Sequence, residues 1–167
     1  GEFKMKTEVT EVIEKQTEVF SNGVPITKHR AGESLFDNNS PRFIEYRKRW
    51  EEQPLALQHG EFPLFLDIET TNICNFKCTF CSNQFIPIED HDFIADDIVY
   101  KVIDEGRVNG LYGVKFNMRG EPTLHKKLPE FVRYAVDSGL VDVYFNTNAS
   151  KLDEEKSVEI INSGLTR

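Results

Sequence analysis

Three thiols fall in one short run, Cys74-Asn75-Phe76-Lys77-Cys78-Thr79-Phe80-Cys81, and they are the chain's only cysteines. A disulfide scaffold would spread an even number of cysteines along the chain. Three clustered thiols point to a metal instead. Thiolates are soft ligands, suited to zinc or to iron–sulfur clusters. A structural zinc site has four protein ligands, and His91 is the nearest later imidazole that could complete one. Zinc ligands, however, usually come as two separated pairs brought together. A four-iron cluster held by three thiolates keeps one iron open, the arrangement that chemistry needs.

The pattern around this run predicts what positions it. Leu64, Leu66 and Ile68 alternate with Phe65, Asp67 and Glu69, which predicts a strand leading into a long loop from Thr70 to about Phe93. Ala95, Ile98, Val99, Val102 and Ile103 recur at helical spacing, with Asn109-Gly110 as a stop. Val114, Phe116 and Met118 predict a second strand, and Leu128 to Val136 a second helix closed by Gly139. Val141 to Asn146 predict a third strand. Asp153 caps a third helix that Gly164 closes. Strand and helix alternate three times, so an α/β fold with right-handed crossovers and a parallel sheet is expected.

With its preceding residues, Glu69-Thr70-Thr71-Asn72-Ile73, the cysteine run resembles the signature of the radical S-adenosylmethionine (SAM) superfamily, C-x3-C-x-aromatic-C, with Phe80 at the aromatic position. The resemblance implies that Cys74, Cys78 and Cys81 each ligate one iron of a [4Fe-4S] cluster. The fourth iron would hold the amino and carboxylate groups of SAM, and the backbone near Phe80 would meet the adenine. Met118-Arg119-Gly120-Glu121-Pro122 resembles the family's Gly-Gly-Glu-Pro segment, with Arg119 in place of the first glycine. It assigns Gly120 and Glu121 to the methionyl amino group. Phe145-Asn146-Thr147-Asn148-Ala149 lies where relatives often carry Thr-Asn-Gly, which brings Asn148 towards SAM. All three segments follow the C-terminal ends of predicted parallel strands, where parallel α/β barrels build their sites.

The implied fold is a partial (β/α) barrel, of which about three β/α units are expected here over residues 63–167. Residues 5–62 are expected as an N-terminal extension holding a hairpin at Asn22-Gly23 and one helix. That helix starts at Ser40-Pro41 and ends before Pro54. Residues 1–4 resemble a vector remnant, and the chain as a whole is expected to be an N-terminal fragment. The implied reaction is reductive cleavage of SAM to a 5′-deoxyadenosyl radical that abstracts hydrogen from a substrate, a peptide or small metabolite. An electron donor such as flavodoxin or ferredoxin would supply the electron. The stretch Arg42 to Trp50, leading to Phe62-Pro63-Leu64, resembles the lead-in of members with a SPASM domain. The alternative is a zinc-stabilised or passive iron–sulfur module without SAM chemistry.

Other features take simpler readings. The formal net charge of −8 argues against nucleic acid as a partner. No apolar run approaches the roughly 20 residues of a membrane span, and a cytoplasmic protein is expected. His29, His59, His91 and His125 show no pattern of ligands and are expected at surface or packing positions. An open sheet edge would allow oligomerisation.

Overall fold

The computed structural model describes residues 20–21, 24–25 and 40–166. Strand β1 (Phe20–Ser21) pairs antiparallel with β2 (Val24–Pro25), Phe20 facing Pro25. The Asn22-Gly23 turn expected between them lies outside the described residues, as do residues 1–4. Helix α1 (Pro41–Leu55) starts as expected, with the Ser40 side chain accepting from the Phe43 amide and Pro41 in the first turn. Its end differs, because the helix runs through Pro54. In the last turn a proline forfeits less than in the interior, and the helix ends one residue later, at Leu55. The Gln58 amide bonds Gln53 O and the Leu57 amide bonds Pro54 O, with Leu57 left-handed at φ 52°.

Three parallel strands follow in the order β3 (Phe65–Asp67), β4 (Gly113–Lys115) and β5 (Asp142–Tyr144). They alternate with α2 (Asp96–Asn109), α3 (Leu128–Asp137) and α4 (Glu154–Asn162). The α/β architecture expected from the sequence is therefore present. Gly110 ends α2 in the left-handed region, and the Asp153 side chain accepts from the Lys156 amide to start α4. The strands are shorter than their apolar patterns predicted. Beyond Phe116 the ladder gives way to side-chain bonds such as that from the Asn146 amide to Asn117 Oδ1, 2.8 Å.

The two sheet faces differ in chemistry. Val114, Phe116 and Val143 point to the helices and pack with Val99, Ile103 and Phe131, all fully buried. The register sets Phe65, Gly113 and Asp142 in one row of the other face, and Asp67, Lys115 and Tyr144 in the next. Helix α1 covers the lower row. Tyr46 stacks on Tyr112 at 5.5 Å, and Trp50 meets Phe65 edge-on at 6.1 Å. The upper row carries an ion pair, Lys115 Nζ to Asp67 Oδ2 at 2.9 Å. One face is thus an apolar core, and the other is plugged at its base and polar towards the C-terminal rim.

Candidate metal centre

The loop after β3 is clamped at its neck. Thr71 and Phe93 form an antiparallel bridge, and the Ile94 amide donates to Thr70 O. The Thr71 hydroxyl donates to Asp92 O at 2.8 Å, and Asn72 bonds Asp90 O and the Asp92 amide. These contacts close the expected long loop into a lobe with two single-turn 3-10 segments, Ser82–Phe85 and Ile88–Asp90. The residue types explain the clamp, since Thr and Asn side chains readily satisfy loop backbone.

Within the lobe Cys74, Cys78 and Cys81 are free thiols of intermediate exposure. The Cys81 amide donates to Cys78 O, and the Phe76 amide approaches Cys74 Sγ at 3.4 Å. Among the described residues no three His, Cys, Asp or Glu side chains gather into a group that could hold a metal ion. A tetrahedral zinc ion with bonds of about 2.3 Å needs its thiolates only ~3.8 Å apart, so the zinc arrangement with His91 is not preformed. A four-iron cluster seats each thiolate on its own iron and asks for a wider spread. Two buried polar atoms of the same lobe, Asn83 Oδ1 and His91 Nε2, have no hydrogen-bond partner. Three free thiols on one lobe are the soft donor set that an iron–sulfur group takes. Phe80, 91% exposed, presents its ring at the lobe surface, and Phe85 and Ile88 are exposed on the same lobe.

The loop after β4 fits against the lobe. Gly120 is left-handed at φ 66°, and a Cβ there would lie 2.1 Å from Thr71 O. Only glycine permits this approach. The next amide, of Glu121, donates to Ile73 O at 2.8 Å, one residue before Cys74. Arg119 forks onto Glu69, Nε to Oε2 at 2.9 Å and Nη2 to Oε1 at 2.8 Å, and its own amide donates to Oε2. The hydrogen bond to Glu69 is the chief reason that the Arg119 guanidinium is held more basic than usual. The residue standing where the family pattern has glycine therefore latches the end of β3 to the end of β4.

Glu121 is buried. Its carboxylate accepts from the Thr123 amide and hydroxyl, from the Thr147 hydroxyl and from the Asn148 amide. Asn148 lies on the loop after β5, and its side chain bonds Asn75 Oδ1 and the Ser150 amide. The structure thus brings the three segments singled out in the sequence onto one rim. It turns the Glu121 carboxylate inward and leaves Phe80 outward. Sequence reasoning missed Asn75 and Thr147 as members of this network, because polar residues in loops carry no periodic signal.

His125, expected at a packing position, is buried between Phe93 and Phe131, with ring centroids at 5.4 and 4.9 Å. Its Nδ1 accepts from the Lys127 amide, and burial pushes its pKa below the usual value. Among the described residues no helix is long and apolar enough to cross a membrane.

Known proteins share the family signature and the fold. The sequence model of the Radical SAM superfamily matches residues 68–167. The PqqA peptide cyclase of Bradyrhizobium diazoefficiens is 33% identical over 117 residues, which are 69% of this chain and 30% of that protein. The crystal structure of BtrN in complex with AdoMet and 2-DOIA superposes with a TM-score of 0.58 at 18% identity, over 64% of this chain and 44% of BtrN. Streptococcus suis SuiB bound to S-adenosylmethionine gives a TM-score of 0.51 at 19% identity, over 93% of this chain and 32% of SuiB. The chain spans about a third of the length of its curated relative, and the fold it shares with BtrN and SuiB is a partial radical SAM fold.

Proposed function

The chain belongs to the radical SAM superfamily, and on that premise we propose that Cys74, Cys78 and Cys81 hold a [4Fe-4S] cluster whose open iron receives SAM. When bound, the cluster and SAM together supply a one-electron cleavage that delivers a 5′-deoxyadenosyl radical for hydrogen abstraction. The observation that carries the reading is the convergence of three strand-end loops around one triplet of free thiols. Phe80 offers an exposed ring and its backbone to the adenine. Gly120 brings its backbone against Thr71, at the neck of the cysteine lobe, where the methionyl end of SAM would lie. Glu121 and Asn148 border that position, their side chains and amides bonded within the protein.

The polar sheet face supports one substrate class. The Asp67–Lys115 row lies one step below the rim, on the face that α1 plugs from beneath. A substrate lying there meets charged and hydrogen-bonding groups rather than an apolar wall. A peptide or a small polar metabolite fits, and similarity to a peptide cyclase supports the former. The electron comes from a small redox protein such as flavodoxin or ferredoxin.

Anaerobic reconstitution with iron and sulfide, followed by EPR of the reduced chain with and without SAM, tests the reading. A four-iron signal that shifts when SAM is added is expected. Stoichiometric zinc with no cluster, or a cluster blind to SAM, would overturn it.

A further inference from the structure

We propose that Glu121 is a positioning residue for Cys74, acting through protein bonds on both sides of that cysteine and not through contact with SAM; this rests on the cluster reading above. The Glu121 carboxylate is 2% exposed although its segment lies on the rim of the sheet. Oε1 accepts from the Thr123 amide at 3.1 Å, the Thr123 hydroxyl at 2.5 Å and the Thr147 hydroxyl at 2.6 Å. Oε2 accepts from the Asn148 amide at 2.8 Å. Of the roughly four lone-pair sites of an ionised carboxylate, Oε1 shares three of these donors and Oε2 takes one, and burial keeps the whole group from solvent.

The bonds lead from Glu121 to both neighbours of Cys74. On one side the Glu121 amide donates to Ile73 O at 2.8 Å. On the other, the carboxylate holds the Asn148 amide, and Asn148 Nδ2 donates to Asn75 Oδ1 at 3.1 Å. Asn75 Nδ2 in turn donates to Ser150 Oγ at 2.7 Å. Ile73 and Asn75 flank Cys74, so the bonds from one residue reach the backbone before this thiol and the side chain after it. Losing a group that orients a metal ligand from behind typically costs about 10- to 100-fold in metal affinity or activity. Glutamine cannot replace Glu121, because its NH2 group does not accept and would face one of the donors.

The test uses the full chain as wild type, Glu121→Gln and Asn75→Ala, reconstituted anaerobically with iron and sulfide. Cluster loss to a ferrous chelator and the EPR of the reduced cluster without SAM are measured. Both variants should lose iron on the order of 10-fold faster than wild type and change the SAM-free spectrum. The double variant should be no worse than the weaker single, because the two residues act in one chain of bonds. Wild-type chelator rates and SAM-free spectra in both variants, with the SAM response lost in Glu121→Gln alone, would overturn the proposal and place the carboxylate on SAM. If Glu121→Gln fails to fold, the exposed Asn75 variant decides by the same readouts. If wild type takes up no cluster, the cluster reading fails by itself, and the metal-free chain decides the positioning. Alkylation of Cys74 should then rise about two- to tenfold in the variants, the worth of one net hydrogen bond; unchanged rates would overturn it.

Discussion

Replacing Gly120 by alanine should unfold the chain at a distinctly lower temperature, and the structure sets the size of the effect. The new Cβ would lie 2.1 Å from Thr71 O, 2.9 Å from Thr71 C and 3.0 Å from Asn72 Cα. All three are backbone atoms, which no rotamer change can clear. Thr71 is held by Asp92 O through its hydroxyl, which also accepts from the Ile73 amide. Moving Thr71 therefore drags the neck of the cysteine lobe. The left-handed conformation costs alanine roughly 1–2 kcal/mol, and forced overpacking adds about 1–3 kcal/mol. The total is about 2–5 kcal/mol, a drop of roughly 4–20 °C for a chain of this size. Gly139→Ala is the matched control, since Gly139 has φ 86° and nothing within 4 Å of the added carbon. It should lose only the conformational part. Thermal and urea unfolding of both variants measure the difference. Equal losses at the two positions would refute the close approach of Gly120 to Thr71.

Leu57→Gly should stabilise the chain by about 0.5–1 kcal/mol in urea unfolding, because Leu57 is 94% exposed and left-handed at φ 52° where α1 ends. Tyr46→Phe should cost about 1–2 kcal/mol, since the buried Tyr46 hydroxyl donates to Asp142 Oδ2 at 3.3 Å; burial first and Asp142 second push that hydroxyl's pKa well up, so the loss should not vary between pH 6 and 9. His125 is held neutral by burial, with its pKa lowered from 6.5. The unfolded chain therefore binds the proton first, and stability that is complete above about pH 6.5 is lost as the pH falls towards the lowered value. Wild type should lose more stability than His125→Gln between pH 7.5 and 5, read by urea midpoints. Cys78→Ala should abolish the four-iron EPR signal and reduce bound iron to background; full iron retention would contradict the cluster assignment.

The triplet Cys74, Cys78 and Cys81, the aromatic Phe80 and the order of strands and helices were all legible in the sequence. Each depends on spacing along the chain, and ligand spacing, hydrophobic period and capping residues act over a few positions. Ser40, Asp153 and Gly110 marked helix ends for the same reason. The end of α1 was misjudged because a proline rule made for helix interiors was applied to a last turn. The tertiary structure alone decided what the rim residues touch. A carboxylate in a Gly-Glu-Pro segment looks available to a ligand, yet Thr147 and Asn148, more than twenty residues away, bond to Glu121 and hold it buried. Asn75 pairs with Asn148 across 73 positions. Gly120 is required by the backbone of Thr71, which only folding of the parallel sheet brings near it. Hydrogen bonds between loops carry no sequence period, because their partners are set by where parallel strands end in space and not by distance along the chain.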